Sequence, residues 1–356
     1  TLEVTLSERG YPVVIGGGVL ARAMEFIAPR VSASHAIVIT DANVERPHAI
    51  AVGESLGRAD LDVDLVVLEP GEQTKSMESS VWLWQRLLDL GADRKTLVVA
   101  VGGGVIGDLA GFVAATFARG LRLVQVPTTL LAQVDSSVGG KVGINLPSAK
   151  NMVGAFWQPV LVLCDLQALA TLGEREYRSG LAEVVKYGVI LDADFFAYLE
   201  SNVAGLLSRD GLVLAHVVER CCRLKADVVQ ADEREETGLR AVLNYGHTFA
   251  HALETVTGYG SLLHGEAVAI GMVCASRLAE RIGRIDSQVT RRQQDLLTKL
   301  GLPTSLPEVD REQLVAAMGR DKKVAHGRLR FVLPTRLGHV EQLGDIAMDD
   351  VRRALD

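Results

Sequence analysis

In the first half of the chain, apolar positions fall into short β-branched runs separated by amphipathic stretches. His35-Ala36-Ile37-Val38-Ile39-Thr40 ends at Asp41, the pattern of a strand buried on both faces of a parallel sheet. Leu65-Val66-Val67-Leu68 is a second such run, closed by Pro70-Gly71. Residues 78–90 space Val81, Trp82, Leu83, Leu87 and Leu88 as a helix would, and Gly91 supplies its stop. Thr96–Val101 predicts a strand running directly into Gly102-Gly103-Gly104. Residues 105–118 predict a helix, and Leu121–Val126 a further strand before Pro127. Strand alternating with helix predicts a mainly parallel sheet with helices on both faces.

Beyond about residue 170 the texture changes. Residues 174–201, 205–230, 239–257, 264–282 and 287–300 all carry helical periodicity, and 329–333 is a lone strand-like run. The expected architecture is therefore an α/β, Rossmann-like nucleotide-binding domain over residues 1–170. A mainly α-helical metal- and substrate-binding domain follows over residues 171–356.

Composition narrows the function classes. The chain has 356 residues, 48% of them hydrophobic and 23% charged, with a net charge of −7. That charge argues against a sequence-independent nucleic-acid binder, and an anionic ligand would need a local basic pocket. The cysteines, Cys164, Cys221, Cys222 and Cys274, form no Cys-x-x-Cys pair, which points to a reduced, cytoplasmic setting. Thr1-Leu2-Glu3-Val4 shows no basic-then-apolar leader. Residues 96–118 are apolar, but Asp108, five glycines and turn signals interrupt them, so no membrane span is expected.

Three segments carry candidate chemistry. Gly102-Gly103-Gly104-Val105-Ile106-Gly107 fits G-x-G-x-x-G between a strand and a helix. There glycines let a phosphate approach the backbone and a helix N-terminus receives it; a merely tight structural turn is the alternative. The strand that follows does not end in an acid to hold a ribose, so Glu72 or Asp41 is the candidate for that role. Asp135-Ser136-Ser137-Val138-Gly139-Gly140-Lys141 and Lys150-Asn151 combine glycines, hydroxyls and lysines that can cradle a phosphate. Their spacing is not that of a Walker A loop, and a solvated surface loop is the plain alternative. Arg119 could serve a ligand, or the dipole of the helix it ends.

The third segment, Asn244-Tyr245-Gly246-His247-Thr248-Phe249-Ala250-His251, is followed by His264-Gly265-Glu266 and so gathers three of the chain's eight histidines. His247 and His251 share a helix face, but Thr248 stands where a metalloprotease would have its glutamate. His264, and Glu183 from the apolar stretch Gly180–Lys186, are further candidate ligands. An unpaired carboxylate would be costly in such a stretch. One carboxylate and two imidazoles would leave a position open for substrate, as catalytic zinc requires. Hydrogen-bonded core histidines are the alternative.

Together these segments resemble the 3-dehydroquinate synthase family of sugar-phosphate cyclases. The resemblance runs through Gly102–Asp108, Pro127–Lys141, Ala149–Asn151, Ala182–Gly188, Lys225–Val229, Arg240–Thr248, His264–Glu266 and Asp321-Lys322-Lys323, in that order. It implies conversion of a seven-carbon keto-acid phosphate (DAHP) into 3-dehydroquinate and phosphate, using NAD⁺ and a divalent metal, usually zinc, with cobalt able to substitute. It implies Glu183, His247 and His264 as metal ligands, with His251 turned to substrate or proton transfer. NAD⁺ would be held by Asp41, Asn43, Glu72, Lys75, Gly103, Gly104, Val105, Asp108, Thr128 and Thr129. Lys141, Lys186, Lys225, Arg240, Asn244 and His251 would be catalytic. Arg119, Asp135, Lys150, Asn151 and one of Lys322 or Lys323 would bind substrate. The phosphate is expected near Lys141, Lys150, Asn151 and Arg119, and the carboxylate near Lys225, Arg240 and Asn244. The family also implies a homodimer in the cytoplasm. Ala250 stands where the family often has glycine, and its methyl group is expected to be tolerated. A metal-dependent polyol or glycerol-phosphate dehydrogenase of the same architecture is the runner-up; Arg240 and Asn244, suited to a carboxylate, argue against it.

Overall fold

The computed structural model describes residues 1–6, 9–147, 149–258, 260–319 and 329–356. Its strands are β1 (Leu2–Val4), β2 (Tyr11–Gly16), β3 (His35–Asp41), β4 (Asp62–Leu68), β5 (Leu97–Gly102), β6 (Arg122–Pro127), β7 (Lys141–Leu146), β8 (Ala149–Phe156), β9 (Leu161–Asp165), β10 (Arg330–Arg336) and β11 (His339–Gly344). The α-helices are α1 (Ala23–Ile27), α2 (Ile50–Gly57), α3 (Met77–Asp89), α4 (Gly104–Thr116), α5 (Glu174–Leu191), α6 (Ala193–Ser201), α7 (Val203–Leu207), α8 (Gly211–Ala231), α9 (His247–Val256), α10 (His264–Arg281), α11 (Ser287–Lys299), α12 (Arg311–Met318) and α13 (Met348–Arg353). They divide into two compact units. One comprises Thr1–Gly173 with Leu214–Arg234, the other Glu174–Val213 with Glu235–Asp356. The first break falls after Gly173. Most of α8, however, lies with the α/β unit and not with the helices around it in the chain.

The first unit is built on a sheet of order β1-β2-β9-β6-β5-β3-β4. Its neighbours are parallel except for the antiparallel pair β1–β2. Alternate residues of the central strands enter opposite cores. Ile37, Ile39, Val98 and Ala100 meet Leu83 and Leu87 of α3 and Leu109 and Val113 of α4. Ala36, Val38, Leu97, Val99 and Val101 meet Ala23 and Ile27 of α1 and Val52 and Leu56 of α2. Burial on both faces explains why these strands read as unbroken apolar runs. From β3 the chain steps outward to β4, then crosses back over β3 to β5. The carboxyl ends of β3 and β5 therefore flank the point where strand order reverses, the place where open α/β sheets bind ligands.

The segment around Lys141 and Lys150 is a β-hairpin, β7 with β8, and not a loop. Three expected helices are interrupted in the second unit or at its borders. Residues 174–201 divide at Asp192, whose side chain caps α6 by accepting from the Phe195 N–H. Residues 205–230 divide between α7 and α8, where Arg209 takes φ +57°. Residues 239–257 divide into a 3₁₀ turn, Leu239–Asn244, and α9, separated by Gly246 at φ +76°. Among the described residues no helix is long and apolar enough to cross a membrane.

Candidate active site

In the second unit, three helices bring one carboxylate and two imidazoles together. Glu183 lies on α5 and is 1% exposed. The start of α10 meets α5 at Gly265, where a β-carbon would stand 1.8 Å from the Ser179 carbonyl oxygen. Only glycine allows that approach, which is fixed by a 3.0 Å bond from the Gly265 N–H to Ser179 Oγ. It sets His264 Nε2 3.5 Å from Glu183 Oε1. His247 opens α9, with its Nε2 3.6 Å from the same oxygen. Its Nδ1 is 3.0 Å from the Tyr245 carbonyl. Tyr245 is itself anchored, its buried hydroxyl lying 2.8 Å from Gln293 Oε1 and 3.0 Å from the Met272 carbonyl.

The ligand atoms of Glu183, His247 and His264 all lie within 4.8 Å of one another. Two nitrogens converging on one buried carboxylate oxygen form the donor set of a divalent cation site with room for a further ligand. The electrostatics agree. Burial alone would lower the pKa of His264, yet Glu183 and Glu254 outweigh it and raise it to about 10. The pocket thus favours positive charge. Lys186, one turn from Glu183 and 2% exposed, pairs with its other oxygen. The Lys186 ammonium also sits 5.3 Å from the centre of the Tyr187 ring. The His251 ring is 5.6 Å from that of His247 and 6.5 Å from that of His264, beside the ligand group. Arg240 and Asn244 were expected on the helix of His247 and stand instead on the 3₁₀ turn before it. Arg240 is buried, with its Nε 3.7 Å from Glu235 Oε1. Ala250 is fully buried within α9, and its methyl group is accommodated there.

In the first unit, the residues expected to hold NAD⁺ gather at the carboxyl ends of the sheet. Asp41 ends β3 and accepts the Asn43 N–H at 2.9 Å; burial raises its pKa against the pull of the Asn43 and Val44 N–H groups. Glu72 and Lys75 follow β4, Gly103, Gly104 and Val105 follow β5, and Thr128 and Thr129 follow β6. The Thr128 N–H bonds to the Gly102 carbonyl at 3.0 Å, and Gln125 Nε2 to the Gly107 carbonyl at 3.0 Å, so β6 fixes the glycine turn. Lys75 Nζ lies 2.5 Å from both Asp108 Oδ2 and Asn151 Oδ1. Burial raises the Asp108 pKa, and Lys75 opposes it.

The anion candidates are distributed around the hairpin. Lys141 starts β7 and is exposed, while Lys150 and Asn151 lie on β8. Lys225, on the part of α8 that joins this unit, is 3.0 Å from Asp135 Oδ1 and donates to the Asp135 carbonyl at 2.6 Å. Arg119 ends a short 3₁₀ turn, Phe117–Arg119, that follows α4 after Thr116, and Ala118, Arg119 and Gly120 take φ of 49°, 69° and 120°. Such left-handed values are costly for residues with a β-carbon. Lys322 and Lys323 lie outside the described residues.

Two residues were absent from the sequence-based set. Asn145 on β7 donates to Glu72 Oε1 at 2.7 Å and accepts the Asn151 N–H at 2.9 Å. Glu254 on α9 is buried, with its Oε1 3.4 Å from His264 Nδ1. For Glu254 a signal existed, since it follows His247 by seven residues, two turns along one helix face. For Asn145 there was none, because its partners are brought to it only by the hairpin.

Known proteins supply the remaining comparison. The model for the 3-dehydroquinate synthase N-terminal region matches residues 65–179, and the model for its C-terminal region matches residues 180–324. A 3-dehydroquinate synthase of Rhodopirellula baltica is 48% identical over 361 residues, covering 100% of this chain and 96% of that protein. The structure of 2-deoxy-scyllo-inosose synthase complexed with carbaglucose-6-phosphate, NAD⁺ and Co²⁺ superimposes with a TM-score of 0.91 at 27% identity, over 100% of this chain and 99% of that one. That of 2-epi-5-epi-valiolone synthase from Streptomyces hygroscopicus subsp. jinggangensis 5008, with NAD⁺ and Zn²⁺ bound, gives 0.90 at 29% identity, over 99% and 97%. With both halves matched in order and a relative this similar from end to end, the chain belongs to the 3-dehydroquinate synthase family.

Proposed function

We propose that this protein is a 3-dehydroquinate synthase, a carbon–oxygen lyase that converts DAHP into 3-dehydroquinate and phosphate with NAD⁺ and a divalent metal, zinc before cobalt. The observation that carries this reading is the convergence of Glu183, His247 and His264 in a chain 48% identical to a 3-dehydroquinate synthase throughout its length. When bound, the metal would supply acidification of a substrate hydroxyl and NAD⁺ a reversible hydride acceptor for that carbon. The chain's own residues do the rest. Glu183, His247 and His264 hold the ion. His251 beside them, and Lys186 paired to Glu183, are placed to move the proton of the reacting hydroxyl. Arg240, Asn244 and Lys225 receive the substrate carboxylate, and Lys141, Lys150, Asn151 and Arg119 its phosphate. Asp135 holds the Lys225 ammonium in position before substrate arrives. The groups at the carboxyl ends of β3 to β6 hold NAD⁺, with Asp41 or Glu72 on a ribose. The buried, unbridged cysteines are compatible with a cytoplasmic enzyme. We assign it to that compartment as a homodimer.

A discontinuous assay tests the activity. With DAHP, NAD⁺ and zinc the protein is expected to release phosphate without net accumulation of NADH. Steady NADH formation from a polyol or glycerol phosphate, with no phosphate released from DAHP, would replace this reading with a dehydrogenase.

A further inference from the structure

Glu254 is a buried carboxylate that the mechanism above does not use. It is 7% exposed, and a carboxylate is seldom kept there without a charged or hydrogen-bonded partner. Its Oε1 faces His264 Nδ1 at 3.4 Å, the outer limit of a hydrogen bond. The other nitrogen of that ring, Nε2, faces Glu183 at 3.5 Å. The His264 imidazole is therefore suspended between two carboxylates, one at each nitrogen.

His247 is arranged on the same plan with a different acceptor. Its Nδ1 meets the Tyr245 carbonyl at 3.0 Å and its Nε2 turns to Glu183. In both rings an acceptor at Nδ1 demands an N–H there and leaves the Nε2 lone pair for a metal. The backbone performs this task for His247, whose side chain is 12% exposed. His264 is the first residue of α10 and its side chain is 35% exposed, so water competes for its ring nitrogens. An ionised acceptor competes with water better than a carbonyl does.

We propose that Glu254 is the positioning residue of the metal centre: it fixes the tautomer and ring plane of His264 and strengthens that imidazole as a ligand. This rests on the ligand set Glu183, His247 and His264. The test uses the full-length protein loaded with cobalt(II), with metal affinity measured by chelator competition. Glu254→Ala is expected to weaken binding about 10- to 100-fold, the usual cost of removing such a partner. Glu254→Gln keeps an acceptor of the same size, and is expected to fall between Ala and wild type. NMR supplies a readout that simple loosening of the fold would not give. The wild type is expected to show two metal-shifted, exchangeable imidazole N–H signals; the Ala variant should lose the one from His264 and keep the one from His247. Should Glu254→Ala fail to fold, the Gln variant decides: cobalt affinity within twofold of wild type overturns the proposal. Glu183→Ala separates this from failure of the ligand set. If that variant keeps wild-type affinity, the set itself is wrong. If it loses metal while both Glu254 variants hold it normally, only the role of Glu254 is lost.

Discussion

Gly265 shows how a single residue without a side chain can place a candidate ligand. A β-carbon there would overlap the Ser179 carbonyl, so any other residue must push α10 away from α5 and carry His264 from Glu183. Overpacking of a close contact usually costs about 1–3 kcal/mol. Gly265→Ala is expected to lower the denaturant midpoint accordingly and to reduce zinc content after purification. Wild-type metal content in that variant would show that the helix approach does not set the site. At this scale the sequence was informative about residue type and silent about geometry. The cluster of histidines marked a candidate metal site, and the apolar surroundings of Glu183 marked a carboxylate in need of a partner. Spacing alone could not choose between His251 and the distant Glu183 as companion to His247, because the approach of α5 to α9 and α10 is a tertiary fact. Glu254 was readable in principle from its helical phase with His247.

The β7–β8 hairpin ties together residues proposed for cofactor and for substrate phosphate. Its Asn145 reaches Glu72, expected on the NAD⁺ side, and Asn151, expected on the substrate side, while Lys75 links Asn151 to Asp108. Of these two Asn145 side-chain bonds, the one to Glu72 is on the NAD⁺ side, and losing it costs about 1 kcal/mol, or roughly fivefold in affinity. Asn145→Ala is therefore expected to weaken NAD⁺ binding by about that factor, read by titration of protein fluorescence, with the melting temperature little changed because Asn145 is only half-buried. Unchanged NAD⁺ affinity would show that the hairpin does not organise the cofactor groups. The hairpin was hidden in the sequence because its glycines, serines and lysines mimic a solvated loop. The central strands β3 and β5 were plain, since burial on both faces leaves an unbroken apolar run. The interruptions at Asp192 and Gly246 lay within convincing helical periodicity, where one cap or one left-handed glycine decides the outcome.

For the molecule as a whole, the residues proposed for cofactor and for metal belong to different compact units. The metal set lies entirely within the second unit, and the groups at the carboxyl ends of β3 to β6 entirely within the first. Stripping the metal with a chelator is expected to abolish phosphate release while leaving NAD⁺ affinity within about twofold, well under the tenfold that corresponds to 1.4 kcal/mol. A parallel collapse of NAD⁺ binding, measured by calorimetry, would show that the first unit depends on the metal. Chelation should also destabilise the second unit, since a ligand at a hundred times its Kd contributes about 2.7 kcal/mol.

The α/β unit is not continuous in the chain. Residues 174–213 of the other unit intervene before α8 arrives, yet α8 supplies contacts that the sheet needs. Cys222 donates to the Gln133 carbonyl at 3.1 Å, Lys225 pairs with Asp135, and Arg223 reaches the Glu3 carbonyl at 3.4 Å. Gln230 receives the Thr5 N–H at 2.5 Å. On the ribosome, the first 173 residues must therefore wait, with their Asp135 turn uncovered, until some sixty more have emerged. Order of birth and order of completion differ in this chain, and the helix that closes the older unit is made in the middle of the younger one.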